Sequence, residues 1–227
     1  MDKQRLFRTL FFILLVMELI GHGFDLDTQY LSKPLLMPSL ILYFISSIQE
    51  RKAVFWLILA ALVLSWAGDV LLIFQYQHPL FFMLGLASFL VAHLVYIYAY
   101  SKAKWEKPIK PLLTSQKLRH ALTLSLAGMA LIYILLPGLG NMKIPVIIYA
   151  AVLVVMAIVA MLRYGYTNIS SFGYVFGGAI LFMISDSLLA INKFLDPITL
   201  AGVWVMLTYC LAQYFIVEGI KKHYSKN

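Results

Sequence analysis

A chain of 227 residues that is 62% hydrophobic and only 12% charged is not a water-soluble domain; over most of its length its solvent is lipid. The formal net charge of +8 reads as membrane topology and attraction to anionic lipid, not as a nucleic-acid surface. One cysteine, Cys210, excludes an intramolecular disulfide and a cysteine-based metal site, and no glycine-rich phosphate loop, zinc-ligand spacing or nucleophile elbow occurs.

Crossing a hydrocarbon core of ~30 Å takes about 20 apolar residues. Eight segments read as spans, at 6–21, 34–48, 53–75, 80–101, 121–137, 144–162, 172–195 and 199–219. The chain opens with Lys3, Arg5 and Arg8 and then the apolar run 10–17, like a secretory signal, but Gly21-His22-Gly23-Phe24-Asp25 offers no small-x-small cleavage site, so the first segment reads as a membrane helix. The second is short and holds Pro34 and Pro38, which predicts irregular backbone near its first turn. The third and seventh each carry one carboxylate in an otherwise apolar stretch, Asp69 and Asp186. The expectation is an all-α, multi-pass integral membrane protein, one membrane domain over residues 1–227, in the inner membrane if the source is bacterial.

Positive charge orients the spans. Fifteen of the 18 Lys and Arg fall on one side: those at 3–8, 51–52, 102–119, 163 and 221–226. Lys33, Lys143 and Lys193 fall on the other, which predicts cytoplasmic termini.

The two aspartates sit in matching words, Gly68-Asp69-Val70-Leu71-Leu72 and Ser185-Asp186-Ser187-Leu188-Leu189. Downstream, Ser88-Phe89-Leu90-Val91-Ala92-His93 and Thr208-Tyr209-Cys210-Leu211-Ala212-Gln213 share a hydroxyl–aromatic–x–x–Ala–polar pattern at nearly the same offset. This suggests two parallel four-helix halves, 1–110 and 118–227, with a site at their interface facing Asp69 towards Asp186. At 1.5 Å per residue, Asp69 lies ~24 Å and Asp186 ~21 Å from the inner ends of their helices, and Ser88 and Thr208 reach ~12–14 Å in from outside. An ionisable residue inside a span costs at least ~2.5 kcal/mol and marks a functional site by default.

Each candidate also has a plain structural reading. Either aspartate alone can be glue between helices, and His93 can be a hydrogen-bonded packing residue. Lys33 and Lys193 can snorkel at the outer interface, with Glu18 pairing to one of them. Gly177-Gly178-Ala179 reads as close helix packing. The candidate site is Asp69 and Asp186 as the reacting pair. Lys33, Ser88, His93, Asn192, Thr208, Tyr209 and Gln213 are expected to contact a substrate, and no metal is expected.

Taken in order, the motifs Lys33-Pro34-Leu35-Leu36-Met37-Pro38, Ser65-Trp66-Ala67-Gly68-Asp69, Gly85-Leu86-Ala87-Ser88, Ala92-His93, Ile184-Ser185-Asp186-Ser187 and Thr208-Tyr209 with Gln213 resemble the YhhN-type lysoplasmalogenase family over essentially the whole chain. The resemblance implies a membrane hydrolase that cleaves the vinyl ether of a lysoplasmalogen to a fatty aldehyde and glycerophosphocholine or glycerophosphoethanolamine. The family's motif aspartates fall on Asp69 and Asp186 and its motif lysine on Lys33.

The chemistry suits two carboxylates. A vinyl ether is activated by protonating its β-carbon; water adds to the oxocarbenium ion, and the hemiacetal collapses to aldehyde and alcohol. A carboxyl pair sharing a proton supplies acid and base together, with no cofactor. The partners implied are a lysophospholipid substrate and the bilayer, with no nucleic acid and no obligatory protein partner. Two other classes stay open from the sequence: a proton-coupled lipid or amphiphile transporter using Asp and His as relays, and a non-catalytic lipid-binding scaffold.

Overall fold

The computed structural model describes residues 2–24, 26 and 29–224, with Gln29 described by its backbone alone; Asp25 and Lys226, used above, lie outside the described residues. Among the described residues there are eight α-helices: α1 (Lys3–Gly23), α2 (Gln29–Ser47), α3 (Ala53–Ile73), α4 (Pro79–Lys102), α5 (Thr114–Leu135), α6 (Lys143–Met161), α7 (Ile169–Phe194) and α8 (Ala201–Tyr224). No strand occurs among the described residues, so the all-helical expectation holds. All but α2 are long and apolar enough to cross a membrane, and the chain is an integral multi-pass membrane protein. The first half of α2 carries Ser32, Lys33, Pro34, Pro38 and Ser39, which dilute its apolar character.

Local chemistry sets the helix ends. Asp2 accepts the Gln4 N–H at 3.3 Å and Asn168 accepts the Ser171 N–H at 2.7 Å, each supplying an acceptor for a first-turn donor without an intrahelical partner. Pro79 begins α4, where its missing N–H loses no bond.

The structure corrects the reading of α2, which is helical from Gln29 and runs through both prolines. Pro38 cannot donate to the carbonyl of Pro34, one turn back. The Trp66 indole N–H of α3 donates to that carbonyl instead, at 2.9 Å, so the freed acceptor is used and the helix continues. Two other spans are longer than expected: α5 begins at Thr114, and α8 runs on to Tyr224.

Contacts divide the chain into two compact units, Met1–Ala99 and Tyr100–Asn227. In the first, α1 and α2 pair antiparallel, with the Gln4 amide of α1 donating to the Ser46 carbonyl at the end of α2, 3.0 Å away. Phe44 and Phe55 stack at 5.0 Å between α2 and α3.

In the second, α7 and α8 make the most extensive pairing. A Cβ at Gly178 would lie 2.8 Å from the Ala212 carbonyl oxygen and 2.9 Å from Ile216 Cγ1, so glycine permits this approach; the 177–179 stretch is close helix packing, as expected. One end of this unit gathers the α5–α6 and α7–α8 connections, where Leu135, Leu139 and Val146 pack against Ala190, Ile191 and Phe194. The other end gathers the 103–113 loop, the α6–α7 turn and the end of α8: Trp105 stacks on His223, and the Asn168 amide donates to the Lys222 carbonyl at 2.8 Å. Lys104, Lys107, Lys110, Arg163, Lys221 and Lys222 all belong to this second end, and Lys143 and Lys193 to the first.

Candidate active site

In the first unit, Asp69 lies about one turn from the end of α3 and is 3% exposed. Its surroundings depend on close approach of α3 and α4. A Cβ at Gly68 would lie 2.6 Å from the Phe89 ring, and one at Gly85 would lie 2.9 Å from Leu72, so two glycines let the helices meet around the carboxylate. The Ser88 hydroxyl donates across this seam to the Leu64 carbonyl at 2.7 Å, while the buried Ser65 hydroxyl, one turn before Asp69 on the same helix face, makes no hydrogen bond among the described residues. His93, further along α4, is fully buried.

Lys33 is half-buried on α2 between two anchors. On one side Trp66, three residues before Asp69, holds the Pro34 carbonyl. On the other, the Ser32 hydroxyl donates to Glu18 of α1. Glu18 is fully buried, and its second oxygen lies 3.2 Å from His22 Nε2. The pairing of Glu18 with a lysine is therefore corrected: its partners are Ser32 and His22. The reason is reach: Ser32 faces α1 while Lys33, the next residue on the helix, is turned about 100° away.

In the second unit, Asp186 of α7 is half-buried and accepts a hydrogen bond from the Tyr149 hydroxyl of α6 at 2.7 Å. Tyr149 is 8% exposed and was not singled out by sequence, because a tyrosine among apolar residues carries no motif. Phe182, one turn before Asp186, meets Tyr209 edge to face at 5.5 Å, which puts Tyr209 beside the face of α7 that bears Asp186. Gln213, one turn further along α8, is fully buried. The Ser185 hydroxyl donates to the Val205 carbonyl of α8 at 3.0 Å.

Two further candidates are engaged in their own connections. The Thr208 hydroxyl donates within α8, to the Trp204 carbonyl at 2.7 Å and the Val205 carbonyl at 3.1 Å. The Asn192 amide oxygen accepts the Ile198 N–H at 2.9 Å and so shapes the α7–α8 connection. Cys210 is buried in α8, and the described residues gather no group of three or more His, Cys, Asp or Glu able to hold a metal ion.

Each unit therefore presents one aspartate within a membrane-length helix, in a setting of hydroxyls and aromatic edges, and the first unit adds the buried Glu18. The model of the YhhN family matches residues 28–220. Lysoplasmalogenase TMEM86B of Homo sapiens is 34% identical over 170 residues, which are 70% of this chain and 61% of that protein. The protein of the same name from Rattus norvegicus is 33% identical over 175 residues, 74% of this chain and 65% of its own length. The one from Sus scrofa is 32% identical over 162 residues, covering 71% and 62%. The chain thus spans a little under two thirds of the length of these relatives. No solved structure matches it. A family model covering most of α2 to α8 settles the membership: this chain belongs to the YhhN family.

Proposed function

We propose that this protein is a membrane-embedded hydrolase that opens the vinyl ether of a lysoplasmalogen, releasing a fatty aldehyde and a glycerophospho-headgroup alcohol. The observation that carries the reading is the likeness, over about 70% of the chain, to proteins named lysoplasmalogenase. The two intramembrane aspartates supply the chemistry such a reaction needs.

In this mechanism Asp69 and Asp186 act as a coupled acid and base. A carboxylic proton adds to the β-carbon of the vinyl ether, and the double-bond electrons form the new C–H bond. The oxocarbenium ion is steadied by the carboxylate that remains. Water attacks the former α-carbon and gives up a proton to a carboxylate, and the hemiacetal splits, its C–O bond electrons and a proton going to the glycerol oxygen. Atoms balance with water as the only co-reactant. Tyr149, donating to Asp186, fixes the direction of that carboxylate's remaining lone pairs. Lys33, held between the Ser32–Glu18 and Trp66–Pro34 contacts, meets the headgroup phosphate. The alkenyl chain stays among apolar side chains.

The orientation that accompanies this reading puts both termini in the cytoplasm. The basic end of the second unit supports it. This orientation requires eight crossings, with the proline-bearing α2 crossing as well as the seven helices of membrane length and apolarity. The matching words around Asp69 and Asp186 are the ground for letting both aspartates act on one substrate. Release of fatty aldehyde by purified protein in detergent tests the function, since a transporter needs a sealed compartment and a scaffold turns nothing over.

A further inference from the structure

The basic stretch between α4 and α5 is a built surface and not a loose linker. Its backbone is tied to the α6–α7 turn: the Trp105 N–H donates to the Tyr166 carbonyl at 2.7 Å, and the Ile109 N–H to the Gly165 carbonyl at 2.9 Å. Gly165 has φ +77°, and a Cβ there would strike the Lys110 carbonyl, so only glycine lets the loop lie this close. Beneath it, the fully buried Arg163 donates through Nε to the Ala103 carbonyl at 3.0 Å and through Nη2 to the Ser171 hydroxyl at 3.0 Å. Between loop and turn lies a cleft of about 320 Å³, walled in part by Trp105, Ile109, Lys110, Tyr164, Ile169 and Phe172.

The polar groups of that cleft are matched to an anion. Among the described residues, the Trp105 indole N–H, the Tyr164 hydroxyl and the Lys110 ammonium make no hydrogen bond, and none of the lining residues is a carboxylate. The other polar wall residues are already engaged, the Thr167 hydroxyl with His223 Nδ1 and the Asn168 amide with Lys222 and Ser171. The local field is positive: the half-buried Lys104 has its pKa lowered, first by burial and then by the charges of Arg163 and Lys117. Glu106, in the same loop, is exposed and stands outside the cleft.

The apolar part of the wall says what kind of anion. Ile109 is 77% exposed and Ile169 69%, two aliphatic crests beside Lys110 at the end of the unit where the helices α5 and α7 begin and α6 and α8 end. A free inorganic anion has no use for these crests; an acyl chain does.

We infer that this cleft binds the phosphate of an anionic bilayer phospholipid, with Lys110, Trp105 and Tyr164 on the headgroup and Ile109 and Ile169 against the chain. None of the residues that line the cleft belongs to the proposed catalytic machinery, and the inference does not rest on the hydrolase reading.

The test titrates purified full-length protein in neutral detergent with dioctanoyl phosphatidylglycerol, dioctanoyl phosphatidylcholine or inorganic phosphate at matched ionic strength, following tryptophan fluorescence and melting temperature. The glycerol lipid is expected to bind saturably and raise the melting temperature, and the other two to do neither. Near an anionic lipid headgroup one lysine charge corresponds to about fivefold in affinity. Lys110→Ala should therefore weaken binding by about that factor and Lys110→Glu by roughly 30-fold, while Lys107→Ala in the same loop leaves it unchanged. Equal responses to both lipids, a response to phosphate matching the glycerol lipid, or wild-type affinity in Lys110→Glu would each overturn the assignment.

Discussion

Replacing Tyr149 by Phe removes the hydroxyl and with it the 2.7 Å hydrogen bond to Asp186 Oδ2, and leaves the buried ring on α6. Tyr149 is 8% exposed, so water does not easily take the place of the lost hydroxyl. A hydrogen bond to a charged acceptor is worth about 1.5–3 kcal/mol net, and each ~1.4 kcal/mol is tenfold in rate. If the bond aims Asp186 during the reaction, Tyr149→Phe lowers kcat by about tenfold to a hundredfold. KM should change little, because the hydroxyl is bonded to the enzyme and not to the lipid. The assay is aldehyde release from a lysoplasmalogen in detergent, with size-exclusion and melting temperature as controls for folding. A folded Tyr149→Phe protein whose kcat stays within twofold of wild type refutes the role given to this bond.

Three other outcomes follow from the same geometry. Lys33→Ala should raise KM about tenfold with kcat nearly unchanged, because a phosphate contact remote from the reacting carbon is the same in ground and transition states; a selective fall in kcat would remove Lys33 from headgroup binding. A reporter fused after Asn227 should be active in the cytoplasm while one inserted at Asn141 reports the opposite side, and cytoplasmic activity at both sites would contradict the eight-crossing arrangement. Arg163→Lys cannot reproduce both guanidinium bonds to Ala103 and Ser171. Trypsin should therefore cut the 103–113 loop several times faster in that variant, and unchanged protection would show that Arg163 does not hold the loop.

The helices were legible because apolar runs of near-membrane length leave few alternatives, and the two aspartates because a lone charge in such a run stands out. What stayed hidden depends on contacts between elements distant in sequence. Pro34 and Pro38 predicted a broken start to α2, yet Trp66 on another helix supplies the donor that Pro38 lacks. Tyr149 has no local signature and acquires its meaning only when α6 lies beside Asp186. Glu18 was expected near a lysine, but helical phase gives it Ser32 and its own-helix neighbour His22. Thr208 and Asn192 look like ligand-facing polar groups in a motif, and in the structure their side chains serve local backbone groups, the usual alternative for such residues. The stretch from Ala103 to Leu113 read as a basic connector because lysine-rich composition does not reveal its tether to Gly165, Tyr166 and Arg163.

The central claim is that Asp69 and Asp186 together carry vinyl-ether hydrolysis. Its most direct test compares aldehyde release by purified wild type, Asp69→Asn, Asp186→Asn and the double variant, each verified as folded and monodisperse. Asparagine keeps the shape of the side chain but neither delivers a carboxylic proton nor accepts one. The account predicts that each single variant is inactive and that the double variant is hardly worse than either. A folded Asp69→Asn or Asp186→Asn protein that releases aldehyde at the wild-type rate would contradict it.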